Sequence, residues 1–202
     1  MSGRHPARQP AAAAGGGPTA MTTGAGAQQA VEARRISLLV VDDHAIVREG
    51  LRRVLSQLDD MVVVGEASTG EAALELVARR RPEVVLMDAR MPGIGGVVAA
   101  KRIVAEHPDV RVIMFTAHAE QDLLWEALDA GAQGFVLKDS ESAALVGAIR
   151  QVVAGDPYVD PRLAPDFLRQ LSKPRPGSIL SAREREILQM LADGYSNREV
   201  SE

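Results

Sequence analysis

Between residues 36 and 138 the chain alternates five short apolar runs, rich in β-branched residues, with longer segments of helical spacing, and few architectures accept that order. The runs are ISLLVV (36–41), MVVVGEA (61–67), EVVLMD (83–88), VRVIMFT (110–116) and GFVLK (134–138). Those at 36–41, 83–88 and 110–116 are almost continuously apolar, which is the pattern of strands covered on both faces of a parallel sheet. The intervening segments can supply the cover. Residues 44–58 set Ile46, Val47, Leu51, Val54, Leu55 and Leu58 at helical spacing, and 71–81, 97–106, 120–130 and 141–154 repeat the scheme. Crossovers between parallel strands are right-handed, so covering both faces forces the strand order to reverse once. The expectation is an α/β fold with an open, doubly wound, five-stranded parallel sheet.

In such sheets ligands bind beyond the C-terminal strand ends, at the point of reversal. Residues with chemistry should therefore follow strands. Asp42 and Asp43 follow the first run, Asp88 ends the third, Thr116 ends the fourth and Lys138 ends the fifth. Taken singly, each reads more readily as a helix cap, a turn residue or a solvated charge. Taken together, all five fall on the one edge where a ligand would sit. Three carboxylates about 4 Å apart would repel by about 4 kcal/mol per pair at an effective dielectric of 20, so positive charge must compensate. Lys138 supplies one charge. A hard divalent cation with oxygen ligands supplies two, and Mg²⁺ is the natural choice, with Mn²⁺ the substitute. Zinc finds no obvious set of ligands, because the chain has no cysteine and His5, His44, His107 and His118 lie in separate segments.

Bulk composition excludes other classes. Lys and Arg number 23 against 27 Asp and Glu, a net charge of −4, so the chain lacks the basic excess of a non-specific nucleic-acid binder. The absence of cysteine removes disulfides and thiol nucleophiles and suits a reducing compartment. No run of about 18 apolar residues is present, so no membrane span is expected and the cytoplasm is the default location. Residues 1–33 are rich in Ala, Gly and Pro with few large side chains, the composition of a disordered tail, and Met21 within it offers a second start of translation.

The motifs VVDDH, VLMDARMPGIGG, MFTAH and GFVLKD, in that order and spacing, resemble the receiver domain of bacterial two-component response regulators over residues 36–155. VGEASTGEAALEL and GDPYVDPRLA narrow the resemblance to the NarL/FixJ subfamily. The resemblance implies a flavodoxin-like strand order of 2-1-3-4-5, with Asp88 as phosphoryl acceptor and a sensor histidine kinase as donor. It implies Asp43 and Asp88 as metal ligands, the Arg90 backbone carbonyl as a third, and Asp42 as an outer ligand or one acting through water. Thr116 and Lys138 would bind the phosphoryl oxygens, and Phe135 would occupy the aromatic switch position, although plain core packing explains Phe135 equally well. Arg90 and His118 would flank the path of attacking water. Trp125 falls on the fourth helix, where it serves either the core or an interaction surface. The family's output is a phosphorylation-dependent homodimer rather than turnover of a substrate, so the chain is expected not to be an enzyme.

Beyond residue 155 the chain becomes proline-rich, with a short helical stretch near 165–171, and residues 156–179 read as a linker after a receiver at 34–155. LSAREREILQMLADGYSNREVSE then resembles the opening of a LuxR-type helix-turn-helix domain at 180–202, with Ser181 and Glu184 as a capping box. Four helices would need on the order of 50 to 60 residues, so the recognition helix is not expected within this sequence, and DNA would be a partner only of a complete domain. Two rivals stand beside this reading. A phosphatase using an aspartyl phosphate would need a second acid shortly after the nucleophile, where Arg90 and Met91 stand. A phosphate-independent interaction module would leave the acidic pocket without use.

Overall fold

The computed structural model describes residues 34–117 and 121–165, with residues 121–124 described by their backbone alone. The tail at 1–33, His118 and the helix-turn-helix stretch at 180–202 lie outside the described residues, as does most of the expected helix at 165–171. The elements alternate as β1 (Ile36–Val41), α1 (Ala45–Leu55), β2 (Met61–Ala67), α2 (Gly70–Arg80), β3 (Val84–Met87), α3 (Gly95–Glu106), β4 (Arg111–Thr116), α4 (Gln121–Asp129), β5 (Gly134–Leu137), α5 (Ser142–Ala154) and β6 (Tyr158–Val159).

The sheet is parallel throughout, in the order β2-β1-β3-β4-β5-β6. The apolar runs are continuous because alternate residues enter two separate cores. Leu39, Val41, Val85, Met87, Val112 and Met114 pack against buried residues of α2, α3 and α4. Their neighbours Leu38, Val40, Val84, Leu86 and Ile113 pack on the opposite face against Leu51 and Leu55 of α1 and Leu145, Ile149 and Val152 of α5. Full burial of such a side chain contributes about 1.5 to 3 kcal/mol. Trp125 belongs to the first of these cores.

The five expected strands are present in the expected order, and a sixth is added. Residues 156–165, read from sequence as part of a linker, are laid onto the sheet. Tyr158 N–H donates to Gln133 O at 3.0 Å and Asp160 N–H to Phe135 O at 2.8 Å, which seats β6 beside β5. Val159 and Leu163 are buried in the core shared with α2, α3 and α4. The sequence signal failed here because Pro157 and Pro161 bracket only two residues of strand, and proline at that density suggests loop.

Local chemistry sets the helix ends nearest the reversal. The Thr69 hydroxyl caps α2 by accepting from Ala72 N–H at 3.2 Å. Glu71, in the first turn of α2, reaches across to accept Ile94 N–H at 3.0 Å, which fixes the loop between β3 and α3. Gly96 is required where α3 passes Asp88, since a β-carbon there would overlap the Asp88 carbonyl oxygen.

Candidate functional site

The sheet reverses between β1 and β3, with the crossover of β1 on one face and that of β3 on the other, and the ends of these strands deliver the acids. Asp42 and Asp43 leave β1, Asp88 leaves β3, and Asp88 N–H donates to Val41 O at 2.8 Å, which keeps the two strand ends in register. Thr116 closes β4 and its carbonyl accepts Lys138 N–H at 2.8 Å, so the residue after β5 is held beside the same edge.

Lys138 spans two of the acids. Its Nζ lies 2.6 Å from Asp42 Oδ2 and 2.9 Å from Asp88 Oδ2. Asp42 and Asp88 are 1% and 4% exposed, so this ammonium is the nearest compensation for two carboxylates removed from water. Burial raises the Asp88 pKa above the ordinary carboxylate value, while the hydrogen bond and charge of Lys138 oppose that rise and the Asp42 charge adds to it. Burial alone would lower the Lys138 pKa, yet contacts with Asp42 and Asp88 outweigh it and set the ammonium above its usual value. The lysine is therefore charged across the physiological range.

The remaining oxygens are poorly served. Asp42 Oδ2 has the Lys138 ammonium at ion-pair distance as its neighbour. Together with Asp43 Oδ1 it makes up the buried side-chain oxygens among the described residues that have no hydrogen-bond partner. Asp42 Oδ1 accepts His44 N–H at 2.9 Å, and Arg90 N–H approaches Asp88 Oδ1 at 3.4 Å. Arg48 Nη1 donates to the Asp42 carbonyl at 2.6 Å and anchors the turn out of β1. One potential ligand atom each from Asp42, Asp43, His44 and Asp88 lie within 4.8 Å of one another. Carboxylate oxygens gathered this closely, with one ammonium shared between two of the acids, fit a hard divalent cation.

The geometry thus gathers Asp42, Asp43, Asp88 and Lys138, with Arg90 present through its backbone N–H. Thr116 stands at the adjoining strand end. Phe135 stands apart from them, fully buried within β5 and opposite Met114 in the sheet register. Sequence reasoning missed His44, whose Nδ1 is 2.7 Å from Asp43 Oδ1. Its signal was adjacency to the acid pair, not spacing to other histidines. His107 is elsewhere, on Arg81 Nη1 at 2.9 Å.

A parallel doubly wound sheet with an acid cluster and a lysine at its reversal defines a receiver, and comparison with known proteins agrees. Residues 38–150 match the response regulator receiver domain, and residues 178–202 match the bacterial regulatory proteins of the luxR family. The response regulator UvrY of Escherichia coli (strain K12) is 39% identical over 171 residues, covering 83% of this chain and 78% of that protein. A crystal structure of a LuxR-family two-component response regulator from Aurantimonas sp. SI85-9A1 superposes with TM-score 0.65 at 34% identity, covering 69% of this chain and 99% of that one. RcsB, solved as two dimers bound to two parallel DNAs, superposes with TM-score 0.64 at 26% identity, covering 83% and 87%. The chain belongs to the two-component response regulators of the NarL/FixJ type, proteins that control transcription.

Proposed function

We propose that this response regulator is switched by transfer of a phosphoryl group to Asp88 from a sensor histidine kinase. The observation that carries the reading is the Lys138 ammonium shared between Asp42 and Asp88 within the gathered carboxylates. An Asp88 carboxylate oxygen attacks phosphorus as the bond to the donor histidine nitrogen breaks; the donor ring carries a proton on its other nitrogen, so an acyl phosphate is left on Asp88 and a neutral imidazole on the kinase. Little covalent help is needed, so the protein's part is positioning and charge neutralisation. Lys138, displaced from Asp88 Oδ2, follows the charge onto a phosphoryl oxygen, and the Thr116 hydroxyl donates to another. Asp43, Asp88 and the Arg90 carbonyl would hold Mg²⁺ or Mn²⁺, with Asp42 an outer ligand. When bound, the cation neutralises the gathered carboxylates and the oxygens of the incoming group.

The added charge and acceptor oxygens draw Thr116 inward, and Phe135 responds in the core. The output is a homodimer, and DNA is a partner only of a complete LuxR-type module; the similar RcsB is bound to DNA as dimers. The protein acts in the cytoplasm and is no enzyme beyond gaining and losing its own phosphoryl group. The receiver extends through Leu163, with the linker beginning after it and the helix-turn-helix module at 180–202.

Incubation with acetyl phosphate and Mg²⁺, followed by intact mass measurement, tests the reading. One phosphoryl mass is expected on the wild type, and none on Asp88→Asn or without the metal. An unchanged wild-type mass, with beryllofluoride also failing to bind, would favour the phosphate-independent interaction module.

A further inference from the structure

Asp160 is a buried carboxylate, 3% exposed, that has no place in the phosphoacceptor site. It follows β6, and its Oδ1 accepts Arg162 N–H at 3.0 Å and Arg162 Nε at 3.1 Å, as a turn cap would. A cap would need no more. Oδ2, however, accepts the Ser140 hydroxyl at 2.6 Å and Arg162 Nη2 at 3.0 Å. Arg162 Nη2 also donates to Ser140 Oγ, and Arg162 Nη1 pairs with Asp139 Oδ1 at 3.0 Å. Asp139 and Ser140 are the residues directly after Lys138. They form its turn, with Ser140 N–H on Leu137 O at 3.0 Å.

Lys138 needs that anchorage. A lysine stem of four flexible carbons carries about 2 kcal/mol of rotamer entropy, and an ammonium on it is held in place only if its backbone is fixed. On the strand side the fixing is Lys138 N–H to Thr116 O. On the other side the chain leaves the sheet, and the side-chain ties that meet it come from Asp160 and Arg162. Those two residues are seated in turn by Asp160 N–H on Phe135 O and by burial of Leu163. Burial alone would push the Asp160 pKa up, but Arg162 and Ser140 hold it below the usual carboxylate value, so the network is ionised at neutral pH.

We propose that Asp160 and Arg162, lying beyond the last helix of the receiver, are positioning residues for Lys138, acting through Ser140 and Asp139. The inference rests on the reading of Lys138 as the phosphoryl-binding lysine. It makes the segment after α5 part of the phosphoryl site.

Ser140→Ala and Arg162→Ala, with Arg162→Lys as the conservative variant, separate this from a merely structural role. Mg²⁺ affinity and beryllofluoride affinity at saturating Mg²⁺ are measured by isothermal titration. Lys138 binds the phosphoryl mimic and repels the metal, so the two affinities should split. Beryllofluoride binding is expected to weaken about tenfold, the low end of what losing an orienting partner costs at a ligand site. Mg²⁺ affinity should stay unchanged or rise, and Arg162→Lys should recover most of the loss. Unchanged beryllofluoride affinity in Ser140→Ala and Arg162→Ala overturns the inference. So does a parallel fall in both affinities, as general loosening would produce. A wild-type protein that binds Mg²⁺ but not beryllofluoride would sink the reading of the site itself.

Discussion

Leu163→Ala should destabilise the receiver as a core substitution does, although the residue lies beyond the last helix. Leu163 is 0% exposed and packs in the core shared with α2, α3 and α4. Leucine-to-alanine changes at fully buried sites cost about 2 to 5 kcal/mol, the lower part applying where neighbours can close over the cavity. The segment at 160–165 sits at the sheet edge and can shift inward, so about 2 to 3 kcal/mol is expected here. With an unfolding entropy of about 2.1 cal/mol/K per residue over the roughly 130 residues of the receiver, that loss lowers Tm by about 7 to 11 °C. Thermal unfolding followed through Trp125 fluorescence, with far-ultraviolet circular dichroism alongside, measures it. A urea titration should show a lower midpoint at an unchanged slope. Were residues 156–165 a linker lying against solvent, the substitution would stay within about 0.5 kcal/mol of wild type. A Tm shift below about 2 °C would therefore refute the assignment of Leu163 to the receiver core.

Three further outcomes follow from the site and its supports. Asp43→Asn removes one of the gathered charges, so without metal the variant should melt higher than wild type, while the rise in Tm on adding Mg²⁺ shrinks; differential scanning calorimetry with and without the metal checks both signs. Gly96→Ala drives a methyl into the Asp88 carbonyl, and the forced backbone shift should cost about 1 to 3 kcal/mol and weaken Mg²⁺ binding, as read by urea unfolding and isothermal titration. Asp160 has a folded pKa below its unfolded value, so its ionised contacts stabilise the fold above about pH 4 and that contribution fades as pH falls through the folded pKa. The stability gap between wild type and Asp160→Asn should accordingly be widest near neutrality and narrow as the pH falls through the folded pKa in urea titrations, and a gap independent of pH would contradict the ionised network.

The sheet was legible because each strand must satisfy two cores. An odd–even split such as Leu39 with Val41 against Leu38 with Val40 leaves no polar position, and that continuity marks a covered parallel strand. The acids were legible for a related reason, since strand ends at a reversal are few and Asp42 and Asp88 occupy two of them, with Lys138 at the end of β5 on the same edge. What escaped were pairings between distant segments. Glu71 finds Ile94 N–H, and Ser140 finds Asp160, with no periodicity to announce either contact. β6 escaped because its seat is made by carbonyls of the neighbouring strand region, not by its own composition. Tyr158 and Val159 would suit many contexts, and only Gln133 O and Phe135 O select this one.

The shortness of β6 also bears on solubility. A sheet ending in β5 would offer passing chains a run of four apolar residues with free backbone groups, the usual invitation to strand addition. β6 takes up that edge and offers little in return: two residues, with prolines at 157 and 161 that lack an N–H to give. At the opposite edge Glu66, near the end of β2, places a carboxylate within ion-pair distance of Arg48 and Arg52. The margin of the sheet beyond β5 is thus blunted against strand addition by other chains.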